Sequence, residues 1–248
     1  MKQAETSCWV VNRGLIAYGP ACELQRQLVE ARKAGAIPDV LLFCEHPHVI
    51  TLGRNSRREH LLAGDELLKR MDVEVHSTDR GGEITYHGPG QVVGYPILDL
   101  AEHRRDIRWY VEQLEEVMIR ATAGFGLAAK RMEGQHGAWI DAPSGEEKIG
   151  ALGVHISRWV TSHGFAYNVS TDLPYFDLIV PCGIADRRVT SLDRALGRSV
   201  SIEDVRNRLM FHFLAVFNRH SEPIKRERLA ELLGSHQETS ASALASII

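Results

Sequence analysis

The sequence predicts one α+β domain, and three observations carry that prediction. Three β-rich runs, "GAWIDA", "KIGALGVHIS" and "VTSHGFAYNVS", follow one another between residues 137 and 170, with turns at "PSGEE" and near Arg158. That is the pattern of an antiparallel meander. Apolar residues recur at helical spacing both before and after it. No internal repeat or convincing linker divides the body, so strands and helices are expected to share one core.

Taken in order, "CWVVNRG" reads as an opening strand. "YGPACELQRQLVEARKAG" reads as a helix, with Pro20 in the first turn, Leu24, Leu28 and Ala31 on one face, and Gly35 past the end. "DVLLFCEH" and "VITLG" are strands broken by Pro47, "GDELLKR" a short helix, and "VEVHST" a return to alternation. "QVVGYPILDL" is strand-like, since Pro96 speaks against a helix interior. Ile107, Val111, Leu114, Met118 and Ala121 define a long amphipathic helix that stops at Gly124. After the meander, Ser201 is an N-cap with Asp204 at the third helical position. Val205, Leu209, Phe213, Val216 and Phe217 make the apolar face of the helix that follows. We take residues 1–220 as a single domain and 221–248 as a C-terminal helical extension ending in a flexible tail.

Composition narrows the function classes. At 44% apolar and 25% charged residues, 248 positions suffice for a sizeable core. A net charge of −3 gives no general pull toward nucleic acid or membranes. The absence of a leader-like or membrane-length apolar run points to the cytoplasm. The cysteines at 8, 22, 44 and 182 have no C-x-x-C spacing. Cys8, Cys22 and Cys44 stand in apolar or helical context and read as packing residues. Cys182, in "VPCGI", differs because Pro181 and Gly183 place it where the backbone turns.

The least ordinary stretch is "DRGGEITYHGPGQVVGYP", residues 79–96, with five glycines beside a histidine and two tyrosines. So much glycine costs conformational entropy, which is tolerated where backbone must approach a ligand closely. It is not a phosphate cradle. Gly88, Gly90 and Gly94 are spaced one residue too widely for the dinucleotide fingerprint, and a strand rather than a helix follows. His46, His48, His155 and His163 give no closed set of metal ligands, so no metal is expected.

These motifs together carry a resemblance. "RGGEITYHGPGQVVGYP", "KIGALGVHI", "HGFAYNV" and "VPCGI" resemble, in order and over about residues 40–195, the lipoyl(octanoyl) transferases of lipoate biosynthesis. The resemblance implies the fold of the lipoate and biotin protein ligases, a mixed, largely antiparallel sheet flanked by helices. It implies transfer of an octanoyl (or lipoyl) group from acyl carrier protein, through its phosphopantetheine arm, to a lysine of a lipoyl domain. The implied acceptors are the lipoyl domains of 2-oxoacid dehydrogenases and the glycine cleavage H protein; no nucleic acid, membrane or cofactor is implied.

Carried over position by position, the family's nucleophile falls on Cys182 and its partner on Lys148. Its substrate-contacting stretches fall on Arg80, Gly81, Gly82, Glu83, Ile84, Thr85, Tyr86 and His87, on Ala151, Leu152 and Gly153, and on Gly164, Phe165 and Ala166. By residue type alone Lys148 is a surface lysine; only the resemblance singles it out. An antiparallel return near Arg158 brings residues around Asn168 beside Lys148, and about a dozen more residues lead to Cys182, a reach a loop can close.

A neighbouring ammonium would favour the Cys182 thiolate. About seven methylene-sized groups of the acyl tail would contribute on the order of 5 kcal/mol on burial, at ~0.8 kcal/mol each. Arg54, Arg57 and Arg58, with Arg187 and Arg188, are basic clusters positioned to steer acidic partners. Two further readings stay open. One is an ATP-dependent lipoate or biotin protein ligase on the same fold; the other is a non-catalytic protein that binds an acyl carrier or lipoyl domain.

Overall fold

In the computed structural model, residues 6–143, 145–180, 188–224, 229 and 231 are described. The chain opens with β1 (Thr6–Leu15) and α1 (Tyr18–Lys33), whose first turn accepts Pro20 because its missing N–H would have no helical partner there. Then come β2 (Asp39–Glu45), β3 (Val49–Leu52), α2 (Asp65–Arg70), β4 (Glu74–Ser77), β5 (Ile84–His87) and β6 (Gln91–Ile97). The long helix α3 (Ile107–Ala123) starts at Asp106, whose side chain accepts from the Trp109 N–H at 2.9 Å.

Strands β7 (Ala129–Met132), β8 (Gln135–Ala142), β9 (Gly145–Ser157) and β10 (Val160–Asn168) follow, then β11 (Arg188–Val189) and α4 (Leu192–Leu196). Helix α5 (Ile202–Val216) begins at the Ser201 cap, which accepts from Asp204 N–H, and leads into β12 (Arg219–Glu222).

The meander forms as the alternation requires: β8 pairs with β9 and β9 with β10, all antiparallel. Its second turn is the two-residue Arg158–Trp159, with both φ positive at 52° and 67°, matching the twist of the flanking strands. The main sheet runs β12-β1-β2-β6-β10-β9-β8-β7, with β11 pairing β9 off that path. It is mixed, since β1 pairs parallel with both β2 and β12. A smaller sheet, β4-β3-β5, stands beside it. The β5 strand lies inside the glycine-rich stretch, where no strand had been expected.

Alternation along each strand sorts the core into two layers. Leu41, Phe43, Val92, Phe165 and Tyr167 face α3 and α5, with Leu114, Met118, Val205, Leu209 and Phe213 packed on them. Val40, Leu42, Val93, Tyr95 and Ala166 face α1, through Leu28 and Ala31. A third cluster joins the small sheet to α2 and to the turn Leu173–Leu178 through Ile50, Leu68, Tyr86 and Phe176.

Of the cysteines, Cys8 and Cys44 are buried and Cys22 half-buried. Burial pushes the Cys8 thiol up to about 12 and raises Cys44 further, as suits inert packing. No helix among the described residues is long and apolar enough to cross a membrane.

Candidate active site

A cavity of about 460 Å³ opens between β6, β9 and β10 of the main sheet and the segment that enters β5. That volume lies in the range of small-molecule sites. Its wall includes Lys148 from β9, Arg80 to Thr85 and His87 from the glycine-rich stretch, Ala151, Leu152 and Gly153 from β9, and Gly164, Phe165 and Ala166 from β10. The three separate stretches singled out in the sequence therefore meet at one place.

Tyr86 does not line it. Alternation along β5 turns this side chain to the far face, where its hydroxyl bonds His48 Nδ1 at 2.8 Å and its ring stacks near Tyr175. Cys182 lies outside the described residues.

Lys148 is placed by a local irregularity. Across β8 and β9, Ala138 pairs with Gly150 but Trp139 pairs with Lys148, so Ile149 is an extra residue, a bulge that turns the strand. Gly137 sits opposite at φ +125°, and a Cβ there would lie 2.4 Å from the Gly150 carbonyl oxygen, so only glycine fits. The Lys148 ammonium rests over the Trp139 ring, 4.7 Å from its centroid. On the other side of the strand, β10 leaves β9 at the Tyr167–Gly150 pair. There β11 takes over, with Arg188 beside Glu147 and Val189 beside Lys148 in parallel. Thr190 N–H then donates to the Lys148 carbonyl at 2.9 Å.

The Arg80–Glu83 segment is clamped from two sides. Asn55 N–H donates to Gly82 O at 3.1 Å and Arg54 N–H to Arg80 O at 3.0 Å, while Gly81 N–H donates to Val154 O at 2.9 Å. The buried Arg80 guanidinium donates to the Thr51 carbonyl and hydroxyl, both at 2.8 Å from Nη2. Gly153 permits this close approach, since a Cβ there would lie 2.8 Å from Gly81 O and 3.2 Å from Arg80 Cδ. The site therefore holds a fixed guanidinium and closely packed backbone around a mainly apolar space.

Further wall residues, none of them singled out by the sequence as contacting substrate, are Tyr18, Gln91, Tyr95, His163, Asn168 and Phe176. Gln91, Tyr95, His163 and Asn168 lie within the motifs that carry the resemblance. Tyr18, on a helix some sixty residues upstream of the glycine-rich stretch, offered no local signal. His163 takes φ +55° inside β10, an uncommon conformation for a non-glycine residue. Its backbone N–H donates to Gln25 Oε1 at 2.9 Å, and its Nε2 pairs with Asp79 at 2.7 Å. Burial lowers the His163 pKa against the opposing pull of Asp79. Among the described residues no group of histidine, cysteine and carboxylate side chains could hold a metal ion.

Comparison with known proteins gives a consistent picture. Residues 17–214 match the model of the lipoyl protein ligase A/B catalytic domain. An octanoyltransferase of Solibacter usitatus is 51% identical over 212 residues, covering 86% of this chain and 94% of that protein. One of Acidobacterium capsulatum is 55% identical over 194 residues, covering 74% and 78%. Among solved structures, the bipartite lipoate protein ligase of Thermoplasma acidophilum superposes with a TM-score of 0.68 at 18% identity, covering 94% of this chain and 92% of that one. At that identity the likeness concerns the fold, a mixed sheet with flanking helices.

Proposed function

The chain belongs to the lipoyl protein ligase A/B catalytic domain family and is an acyltransferase, and on that premise we propose that it transfers an octanoyl (or lipoyl) group from acyl carrier protein to a lysine of lipoyl domains through a thioester on Cys182. The observation that supports this reading is the shared cavity, with Lys148 and three sequence-distant stretches in one wall. The described residue closest after Cys182 is Arg188, whose strand runs beside Lys148. Six residue steps separate Cys182 from Arg188 and span at most about 20 Å at ~3.3 Å per residue, so the chain length permits the sulfur to meet the lysine strand.

The chemistry proceeds in two balanced halves. The Cys182 thiolate attacks the carbonyl carbon of the carrier thioester. The new C–S bond forms, the pantetheine C–S bond breaks, and the departing sulfur takes a proton from the Lys148 ammonium. The acceptor amine then attacks the octanoyl-Cys182 carbonyl. A C–N bond forms, the C–S bond breaks to restore the thiolate, and the surplus amine proton returns to Lys148. Neither half needs ATP. The tail lies along Leu152, Gly153 and Phe165, and Arg80 to Thr85 with His87 close the opposite wall. Residues 1–220 serve as the catalytic domain, and 221–248 form an extension that starts within β12 and buries Leu229 on the α1 layer.

Intact-mass measurement after incubation with octanoyl carrier protein, without ATP, tests the scheme. An octanoyl increment on the wild type that is absent from Cys182→Ser is the expected result. Full-rate transfer by wild type with no such adduct overturns it. Labelling of the acceptor only when ATP is supplied would favour a ligase instead.

A further inference from the structure

His87 is the one titratable side chain of β5 that lines the cavity, and the two-step scheme gives it no chemical task. Its ring is buried, and its Nδ1 lies 2.7 Å from Gln91 Oε1. Gln91 Nε2 lies 2.8 Å from Asn168 Oδ1 and 3.4 Å from the Tyr86 carbonyl, and Asn168 Nδ2 lies 2.9 Å from the Thr190 carbonyl.

The direction of every bond in this chain follows from its ends. A backbone carbonyl only accepts, so Asn168 must present its NH2 to Thr190 and its oxygen to Gln91. Gln91 must then give its NH2 to Asn168 and Tyr86, leaving its oxygen for His87. Flipping either amide would set two acceptors against each other at Thr190 or Tyr86. His87 Nδ1 is therefore the donor, the hydrogen sits there, and Nε2 carries a lone pair. No described residue bonds Nε2. Burial, followed by the nearby charges of His46, Arg80 and His163, pushes the imidazole down to about 3, so it stays neutral at working pH.

Resting on the proposed transfer reaction, we infer that Gln91 and Asn168 are positioning residues that hold His87 as a fixed neutral acceptor, whose Nε2 receives an N–H of the attacking lysine amine. The same chain reaches the other side of the site. Thr190, which anchors it through its carbonyl, also bonds the Lys148 backbone through its N–H. His87 and Lys148 are thus registered to each other through β6, β10 and β11.

The two groups divide the demands of the second half-reaction. A neutral amine has one lone pair and two hydrogens, and attack requires the lone pair to face the carbonyl. An acceptor that cannot keep a proton aligns one N–H without taking it, and Lys148 removes the surplus proton once the C–N bond forms.

Two-bond proton–nitrogen spectra of the full chain with 15N-labelled histidine test the arrangement, His87→Gln serving to assign the signals. The expected result is an Nδ1–H tautomer with bare Nε2 from about pH 6 to 8, where an ordinary histidine titrates. An Nε2–H tautomer or an imidazolium would overturn it. In Gln91→Met, which keeps the length and loses the oxygen, the Nε2–H form should appear. Octanoyl transfer from preloaded enzyme to a lipoyl domain should fall about tenfold, one hydrogen bond's worth, and several-fold more than loading from octanoyl carrier protein falls. Asn168→Leu should do the same. Equal loss in both halves, or loss in loading alone, overturns the amine contact. If wild type never acquires an octanoyl adduct, the transfer reading and the amine contact fail together, whereas the tautomer is judged by the spectra alone.

Discussion

Arg219 Nε donates to Asp39 Oδ2 across 2.8 Å, joining residues 180 positions apart and tying the β12 edge of the main sheet to β2. Asp39 is fully buried and also receives Arg32 Nε at 3.0 Å, His103 Nε2 at 2.9 Å and the Asp99 N–H at 3.1 Å. Replacing it with alanine takes the carboxylate from the buried Arg219 guanidinium and leaves Arg32 to Glu102 and Asp99. The expected loss is about 3–5 kcal/mol of unfolding free energy, read by chemical denaturation.

The same carboxylate gives the protein an acid limit. Burial alone would raise its pKa, but the bonds and charges of His103 and Arg219 outweigh burial and hold it at about 2, against 3.8 for a free side chain. A folded-state pKa below the unfolded one gives stability that is complete above the unfolded value and fades as pH falls through the folded one. Asp39 should therefore contribute on the order of 2 kcal/mol at neutral pH, lost progressively from about pH 4 to pH 2. Denaturation midpoints of wild type and Asp39→Asn should converge across that window; a constant gap between them would contradict the assignment.

Lys148→Met separates charge from packing. The methionine stem retains contact with Trp139 and the bulge, so thermal stability should change little. Under the proposed mechanism octanoyl transfer should drop at least ~100-fold, the scale of a lost acid–base group. Comparable transfer by the variant would remove Lys148 from the chemistry.

Gly153→Ala sets a methyl group against Gly81 O and Arg80, both held by other bonds. The clamp must shift, at a cost of about 1–3 kcal/mol typical of overpacking. KM for octanoyl thioesters should rise more than kcat falls, because the clamp borders the space for the tail. Steady-state kinetics with a small octanoyl thioester read that split.

Arg188 is exposed beside the lysine strand, and Arg187 precedes it in the chain. Reversing both charges should slow use of carrier-bound octanoate several-fold more than use of a small octanoyl thioester, and the difference should shrink at high salt. Equal losses on both substrates would count against a steering role.

Much of this architecture could be read from residue patterns, for identifiable reasons. The meander and the helices α1, α3 and α5 announce themselves because each buries one regular face. Strand β5 was obscured because it is four residues long within glycine-rich sequence. Strand β12, "RHSE", has three exposed residues out of four and carries no apolar alternation. Sheet order was not legible either, since parallel pairing of β1 with β2 and β12 joins segments whose neighbours in sequence say nothing of it. In the site, the motif stretches point to most of the wall. The side chains behind them, such as Tyr18, become neighbours only through α1 packing on β6 and β10.

Strand β9 carries Lys148 near one end of the cavity wall and Gly153 and Val154 further along it. Under the proposed reading one continuous backbone thus serves as both anchor and gauge. The interval from reacting nitrogen to tail terminus is graduated in steps of roughly 3.3 Å per residue and cannot drift as loops breathe. Retuning the enzyme to shorter or longer acyl groups is then a matter of choosing which notch on that ruler to fill or empty.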